Sequence, residues 1–186
     1  MPISAQGQNY KDLSLEALTQ AAESDDEVAM GFLGELYQHG RGVEKNLQTA
    51  FMWYKKSAEL NYPAAQYNLA VLLSQGKGTT QDYPQAFFWA EKAAEQSNVP
   101  AQFLLATFYA QGRGVYQNKQ QAFKWYEHAA AAENSQAQYN LALMLLQGDG
   151  VKKDTKRGLN LLRKAAAQNH VQAQSVLDLI LNQMQK

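Results

Sequence analysis

Apolar residues recur three and four positions apart along most of the chain, with polar residues between them. This spacing predicts amphipathic α-helices, because residues three and four apart lie on the same face of a helix. The helical pattern itself repeats every 36 residues, and a Gly-x-Gly tripeptide marks each period. The tripeptides begin at Gly40, Gly76, Gly112 and Gly148. A fixed period of this length is typical of proteins built from stacked repeats.

Residues at equivalent positions of successive periods form what we call a column, and three columns predict the core of the repeat. The first contains only alanine: Ala29, Ala65, Ala101, Ala137 and Ala173. The second contains only leucine: Leu33, Leu69, Leu105, Leu141 and Leu177. The third follows the glycines and contains Trp53, Trp89 and Trp125, which we expect to pack between repeats. Each period therefore predicts an antiparallel pair, with a first helix before the glycine turn and a second helix after it.

The residues around the turns agree with this interpretation. A glycine directly after a helix can adopt the left-handed conformation that ends it. Six positions later stand residues that are preferred as N-caps of a following helix: Asn46, Asp82, Asn118 and Asp154. Between repeats, Asn61 and Asn169 are expected to end second helices, since asparagine tolerates the left-handed conformation.

The pattern resembles the SEL-one-like repeat family, which is related to the tetratricopeptide repeats. The residues that carry the resemblance are Ala65-Gln66-Tyr67-Asn68-Leu69-Ala70, Gln75-Gly76-Lys77-Gly78, Asp82, Ala86, Trp89 and Lys92-Ala93-Ala94-Glu95. A 36-residue period favours this family over the tetratricopeptide repeat, whose period is about 34 residues. The resemblance implies an all-α fold: a right-handed α-α superhelix, or solenoid, of about four helix-turn-helix repeats with terminal capping helices.

The expected domain organisation follows from the register of the repeats. Residues 1–12 are predicted to be a flexible N-terminal segment, and residues 13–186 a single solenoid. The solenoid would begin with a capping helix at 13–23 and end with a helix at 171–184. The repeats between them are predicted at 27–60, 63–96, 99–132 and 135–168. Atypical helices at both ends are expected, because an open stack needs polar terminal surfaces.

Composition narrows the possible functions. The chain has 17 basic and 17 acidic residues, so neither nucleic acid nor an anionic membrane is a predicted partner. It has no cysteine and only three histidines, which lack the spacing of metal ligands, so we predict no metal and no cofactor.

No apolar run is long enough to insert in a membrane. The first nine residues lack the features of a signal peptide, which predicts a cytoplasmic protein, or a periplasmic one if a signal peptide has been removed.

One sequence raises the possibility of an enzyme. Ser74-Gln75-Gly76-Lys77 matches the Ser-x-x-Lys motif of enzymes that react with penicillin. Ser74, however, directly precedes the end of a predicted helix, and the companion motifs of those enzymes are missing. No nucleophile is paired with a base elsewhere. We therefore predict that the protein is not an enzyme, with a hydrolase of peptidoglycan or β-lactam type as the alternative.

The candidate binding residues lie on the first helices, opposite the alanine and leucine columns. They are Tyr67, Asn68, Val71, Phe103, Thr107, Tyr139, Asn140 and Leu143. These positions vary between repeats while the core columns do not, and aromatic rings with amide side chains suit a bound peptide. The alternative is that some of the aromatic rings pack against the neighbouring repeat.

The resemblance implies that these residues line the concave groove of a monomeric scaffold or adaptor. Its partner would be a protein segment or peptide in a bacterial envelope, secretion, signalling or toxin-immunity complex.

Overall fold

The computed structural model describes residues 10–184, which contain ten α-helices and no β-strand. The helices are α1 Leu15–Glu23, α2 Glu27–His39, α3 Leu47–Glu59, α4 Pro63–Gln75, α5 Tyr83–Glu95, α6 Val99–Gln111, α7 Lys119–Ala131, α8 Ser135–Gln147, α9 Thr155–Ala167 and α10 Val171–Met184. The first helices of the repeats are α2, α4, α6 and α8, and the second helices are α3, α5, α7 and α9. The predicted all-α fold of helix pairs is confirmed.

The glycine turns end each first helix as predicted. Gly40 closes α2 with φ of 70°, and the first glycine of each later turn also has positive φ. After the turn, the Asn46 side chain accepts a hydrogen bond from the Thr49 amide at 3.0 Å. Equivalent caps begin the other three second helices, at Asp82, Asn118 and Asp154. The local chemistry of the turn therefore accounts for the length of the first helix and the start of the second.

The left-handed residue between repeats is more general than the asparagines suggested. Asn61 and Asn169 have φ of 71° and 64°, as expected. Asp25, Ser97 and Glu133 occupy the same place in their repeats and are also left-handed. Serine and glutamate adopt this conformation at some cost, so the packing of the helices on either side imposes the turn at Ser97 and Glu133.

The chain divides into two compact units, and the division falls inside α5, between Trp89 and Ala90. In unit 1, α1 packs on α2, α2 on α3, and α3 on α4. In unit 2, α6 packs on α7, α7 on α8, α8 on α9, and α9 on α10. Consecutive helices are thus neighbours in each unit, which is the arrangement that the repeat pattern predicts.

The core of unit 1 depends on two glycines within α2. A Cβ atom at Gly34 would lie 2.6 Å from the ring of Tyr54, and one at Gly31 would lie 2.8 Å from the ring of Tyr62. Tyr54 is only 1% exposed, so its ring fills the space that the missing side chain leaves. The absence of side chains at Gly31 and Gly34 therefore lets two tyrosine rings approach α2 closely.

The first helices of unit 2 have alanine at the position that Gly34 takes in α2. Ala106 packs with Tyr126 in one buried cluster, and Ala142 packs with Leu162 in the next. The leucine column stays inside, with Leu105 at 0% and Leu141 at 1% exposure. Helix contact in unit 2 therefore rests on the alanine and leucine columns, as predicted.

Of the predicted flexible segment 1–12, the structure describes Tyr10–Asp12, which form a 3-10 helix. Residues 1–9 lie outside the described residues, so the flexibility of the segment stays a prediction. Tyr10 is held because its ring stacks on Phe32 at 5.6 Å and its hydroxyl donates to Asp26 at 2.8 Å.

The tryptophan column is half-buried, whereas the sequence predicted a core position. The rings of Trp53 and Trp125 pack against the buried clusters of their units. The second helices α3, α5 and α7 therefore keep part of each indole at the surface.

Candidate functional site

The eight predicted binding residues lie on three first helices, and all eight are half-buried. Three lie on α4 in unit 1, two on α6 and three on α8 in unit 2. In unit 1, the Tyr67 ring is half-buried, and this burial raises the pKa of its hydroxyl. Half-burial is compatible with a binding surface and also with packing against a neighbour. The contacts of unit 2 distinguish between these roles for individual residues.

Thr107 and Asn140 meet at a buried hydroxyl group in unit 2. The Thr107 hydroxyl lies 3.2 Å from the hydroxyl of Tyr126, and the Asn140 side chain is near enough to lower the pKa of the same hydroxyl. Tyr126 belongs to α7 and is 4% exposed. Burial raises the pKa of its hydroxyl, while the Thr107 and Asn140 side chains act in the opposite direction. The faces of α6 and α8 that carry Thr107 and Asn140 are therefore joined through α7.

The aromatic rings of unit 2 also pack against neighbouring helices. Phe103 lies 5.8 Å from the ring of Tyr126. Tyr139 stacks on His170 with ring centroids 4.8 Å apart and an angle of 27° between the rings. His170 accepts a hydrogen bond from the Ala173 amide at 3.2 Å, so it caps α10 and braces Tyr139. Phe103 and Tyr139 therefore pack against neighbouring helices, which was the alternative to binding. Neither ring is fully buried, so each also keeps an accessible surface.

The first helices share a column of buried glutamines that was not predicted from the sequence. Gln66, Gln102 and Gln138 are 1%, 8% and 0% exposed. Each side-chain amide donates to a backbone carbonyl of the preceding second helix, at 3.2, 3.4 and 3.3 Å respectively. The signal was available, because glutamine recurs at the 36-residue period beside the alanine column. These glutamines satisfy polar atoms inside the stack and do not form part of an exposed site.

In unit 2 this glutamine is the centre of a polar cluster. Gln138 donates to the carboxylate of Glu133 at 2.8 Å and accepts from Gln168 at 2.9 Å. Lys164 lies 3.4 Å from the same carboxylate. The hydrogen bond from Gln138, followed by the charge and hydrogen bond of Lys164, lowers the pKa of Glu133. We call these four residues the Gln138 cluster.

Unit 1 has an open cleft of about 390 Å³ at the C-terminal ends of α1 and α3. Its lining comprises Ala22, Glu23, Asp25, Met30, Trp53, Lys56, Glu59 and Leu60. The ammonium group of Lys56 lies 4.9 Å from the centre of the Trp53 ring. We call this cavity the Trp53 cleft. Its apolar floor and charged rim are a feature that the repeat pattern did not predict.

Three further possibilities were considered for residues 10–184: a reactive serine at Ser74, a metal site and a membrane-spanning helix. The Ser74 hydroxyl donates to the carbonyl of Val71 at 2.9 Å, as is common for serine in a helix. Residues 10–184 bring together no group of three or more His, Cys, Asp or Glu side chains that would hold a metal ion. Within the same residues, every helix is too short or too polar to span a bilayer.

The fold and these surfaces define a helical-repeat scaffold of the class that generally serves protein–protein interaction. The model of the Sel1 repeat matches residues 28–62, 63–98, 99–134 and 135–170. The chain therefore belongs to the Sel1 repeat family, the SEL-one-like relatives of the tetratricopeptide repeats. Members of this family are generally non-enzymatic scaffolds. No curated protein matches the chain.

Solved structures with this fold come from several bacteria. A protective antigen of uropathogenic Escherichia coli strains with an SLR fold is 32% identical, with a TM-score of 0.85, over 90% of this chain and 36% of its own. A Sel1 repeat protein from Oxalobacter formigenes is 35% identical, with a TM-score of 0.79, over 87% of this chain and 67% of its own. An immunity protein from Pseudomonas aeruginosa is 25% identical, with a TM-score of 0.55, over 85% of this chain and 58% of its own. The chain thus spans only about a third of the antigen.

Proposed function

We propose that the protein is a non-enzymatic adaptor that binds a segment of a partner protein on the first-helix face of its repeats. In unit 2 this face comprises Phe103, Thr107, Tyr139, Asn140 and Leu143; in unit 1, Tyr67, Asn68 and Val71 have the equivalent positions. The observation that carries the proposal is the junction at Tyr126, which joins the α6 and α8 faces through Thr107 and Asn140.

The chemistry of the face indicates the kind of segment it binds. None of its eight side chains is charged, and each is half-buried. Aromatic rings held by neighbours, such as Tyr139 on His170, lose little side-chain entropy when a ligand packs on them. Asn68 and Asn140 supply amide groups that match the backbone of an extended peptide. An uncharged, apolar or aromatic segment is therefore the expected ligand.

The family comparisons suggest a biological setting. The similar structures include a protective antigen and an immunity protein, both bacterial. We extend from them the proposal that this chain is a monomeric component of a bacterial envelope, secretion, signalling or toxin-immunity complex. Its location in the cytoplasm, or in the periplasm after removal of a signal peptide, stays a prediction.

Leu143→Glu tests the binding face with little risk to the fold. Unit 1 has Glu35 at the equivalent position of α2, so the repeat accepts a carboxylate there. The tagged chain is used to capture proteins from its native host, and a captured protein is then purified and titrated directly. We expect Leu143→Glu to weaken that binding at least about tenfold, because a charge is placed in an uncharged contact.

The control is Lys124→Glu, which changes an exposed residue of α7 and should leave the affinity unchanged. Equal binding by wild type and Leu143→Glu would show that the partner uses another surface. A chromogenic β-lactam and a peptidoglycan substrate test the enzymatic alternative; turnover of either by the purified chain would contradict the assignment as an adaptor.

A further inference from the structure

The Trp53 cleft has the composition of a site for a positively charged side chain. Its floor is apolar, with Met30 at 4% exposure and the half-buried indole of Trp53. Three carboxylates, those of Glu23, Asp25 and Glu59, stand in its lining. We propose that this cleft binds an arginine side chain presented by a partner protein. None of the eight first-helix residues lines it, so this site is separate from the surface proposed above.

The first argument is that the Trp53 ring already has a cation beside it. The Lys56 ammonium lies 4.9 Å from the ring centre, within the range in which a cation is attracted to the ring quadrupole. Tryptophan is the aromatic side chain with the strongest such attraction. Lys56 is exposed and has a flexible stem, so it can leave the ring when another cation arrives. The contact identifies the type of group that the indole accepts.

The second argument is charge complementarity. The lining contains three carboxylates and one ammonium group, so the cleft is negatively charged. Outside the lining, the exposed Lys55 ammonium lies 4.0 Å from the Glu59 carboxylate, where water screens its charge. A ligand that carries a positive charge is therefore favoured, and one that carries a negative charge is rejected.

The third argument selects arginine over lysine. A guanidinium group is planar, stacks on an aromatic face and can donate to a carboxylate through two parallel N–H groups. It is also more weakly hydrated than an ammonium group, so it enters a partly apolar cleft more readily. The methylene stem of arginine can lie against Met30 and Leu60 while the guanidinium reaches Asp25 or Glu59.

A pair of isosteric peptides tests the proposal. The full chain, labelled with ¹⁵N, is titrated with acetyl-Gly-Arg-Gly-amide and with the same peptide containing citrulline, which keeps the shape but has no charge. The Trp53 indole N–H resonance is assigned from its loss in Trp53→Phe. We expect the arginine peptide to shift this resonance in a saturable way, and the citrulline peptide to bind at least about tenfold more weakly.

Two charge variants give effects of opposite sign. Lys56→Met keeps the length of the stem and removes the competing cation, so the arginine peptide should bind several-fold more tightly. Asp25→Asn removes a carboxylate and should weaken binding several-fold. Asn61 and Asn169 adopt the same left-handed conformation at the equivalent places, so asparagine preserves the backbone at residue 25.

The matched control is Lys164→Met, the equivalent lysine of unit 2, which should not alter the titration of Trp53. Three results would overturn the proposal: no shift of the Trp53 resonance at the highest soluble peptide concentration, equal binding of the citrulline peptide, or weaker binding by Lys56→Met. Any of them would leave the first-helix proposal intact, because the Leu143→Glu experiment reports on different residues.

Discussion

The Trp53 cleft of unit 1 and the Gln138 cluster of unit 2 occupy the same place in the repeat but differ in chemistry. Met30 and Gln138 are equivalent residues, three periods apart. In unit 2, Gln138 fills the place with a chain of hydrogen bonds to Glu133 and Gln168. In unit 1, Met30 and Leu60 stand at the places of Gln138 and Gln168; neither side chain can form such a chain, and both line the cleft of about 390 Å³.

The buried alanine and leucine positions that hold the helices together are the same in both units, whereas the position of Met30 and Gln138 differs. Ala22 and Ala130 are equivalent and both buried, at 1% and 5% exposure. Leu33 and Leu141 are equivalent and are both 1% exposed. The framework is therefore the same in both units, while the surface beside it is an open cleft at Met30 and a hydrogen-bonded polar cluster at Gln138.

The largest expected effect tests whether the shared framework is equally important in both units. Leu33→Ala and Leu141→Ala each remove a fully buried side chain, so each should lower the free energy of unfolding by about 2–5 kcal/mol. In a stacked-repeat protein the loss should be felt mainly by the repeat concerned and its neighbours. Hydrogen exchange should therefore show the greater loss of protection within the mutated unit. Equal loss throughout the chain after either change would contradict this expectation.

The next largest change in stability is expected from exchanging the residues at the equivalent positions Met30 and Gln138. Gln138→Met gives unit 2 the residue of unit 1 and leaves the partners of a buried amide unsatisfied, so it should lower the free energy of unfolding by about 1–3 kcal/mol in chemical denaturation. The reverse change, Met30→Gln, should alter it by less than about 1 kcal/mol, because a glutamine there can donate to the Ala22 carbonyl as Gln138 does to that of Ala130. If Met30→Gln costs more than Gln138→Met, the two places do not differ in the way described.

Features governed by one residue and its immediate neighbours could be predicted from the sequence. The glycines of the turns and the caps at Asn46 and Asp154 follow from the preferences of those residues, and the structure confirms them. Ser97 and Glu133 could not be recognised in the same way. Their left-handed conformation comes from the helices that flank them, and neither residue type signals it.

The candidate site was predictable only as a set of positions on one helix face. Periodicity assigns Phe103, Thr107 and Tyr139 to the face opposite the core columns, but it does not identify what lies beside them. The contacts of Thr107 with Tyr126 and of Tyr139 with His170 join residues of different helices. Such contacts depend on how the helices pack, so they need the structure. Binding by the eight residues stays a prediction.

The Trp53 cleft could not be predicted from the repeat pattern either. Each of its residues belongs to a column that looks ordinary in the sequence, and Lys56 shares one with Lys92, His128 and Lys164. What creates the cleft is the coincidence of Met30, Trp53 and several carboxylates at the ends of two helices. A periodic pattern emphasises what the repeats share, and this cavity arises from where they differ.

The smallest expected effect is a pH dependence that the Gln138 cluster contributes. The pKa of Glu133 lies below its ordinary value of 4.5, because Gln138 donates a hydrogen bond to the carboxylate and Lys164 lies beside it. A carboxylate with a lowered pKa stabilises the fold above the pKa of the unfolded chain, and this contribution is lost as the pH falls through the lower folded value. Glu133→Gln should therefore remove part of the decline in melting temperature below pH 4.5.

The effect should be small, because Glu133 is exposed and water screens its charge. Asp25→Asn is the matched change in unit 1, where no glutamine donates from the position of Met30. The two variants are compared by melting temperature across the acid range at low salt, where screening is weakest. An acid profile that Asp25→Asn flattens as much as Glu133→Gln would show that the hydrogen bond from Gln138 is not the source of the dependence.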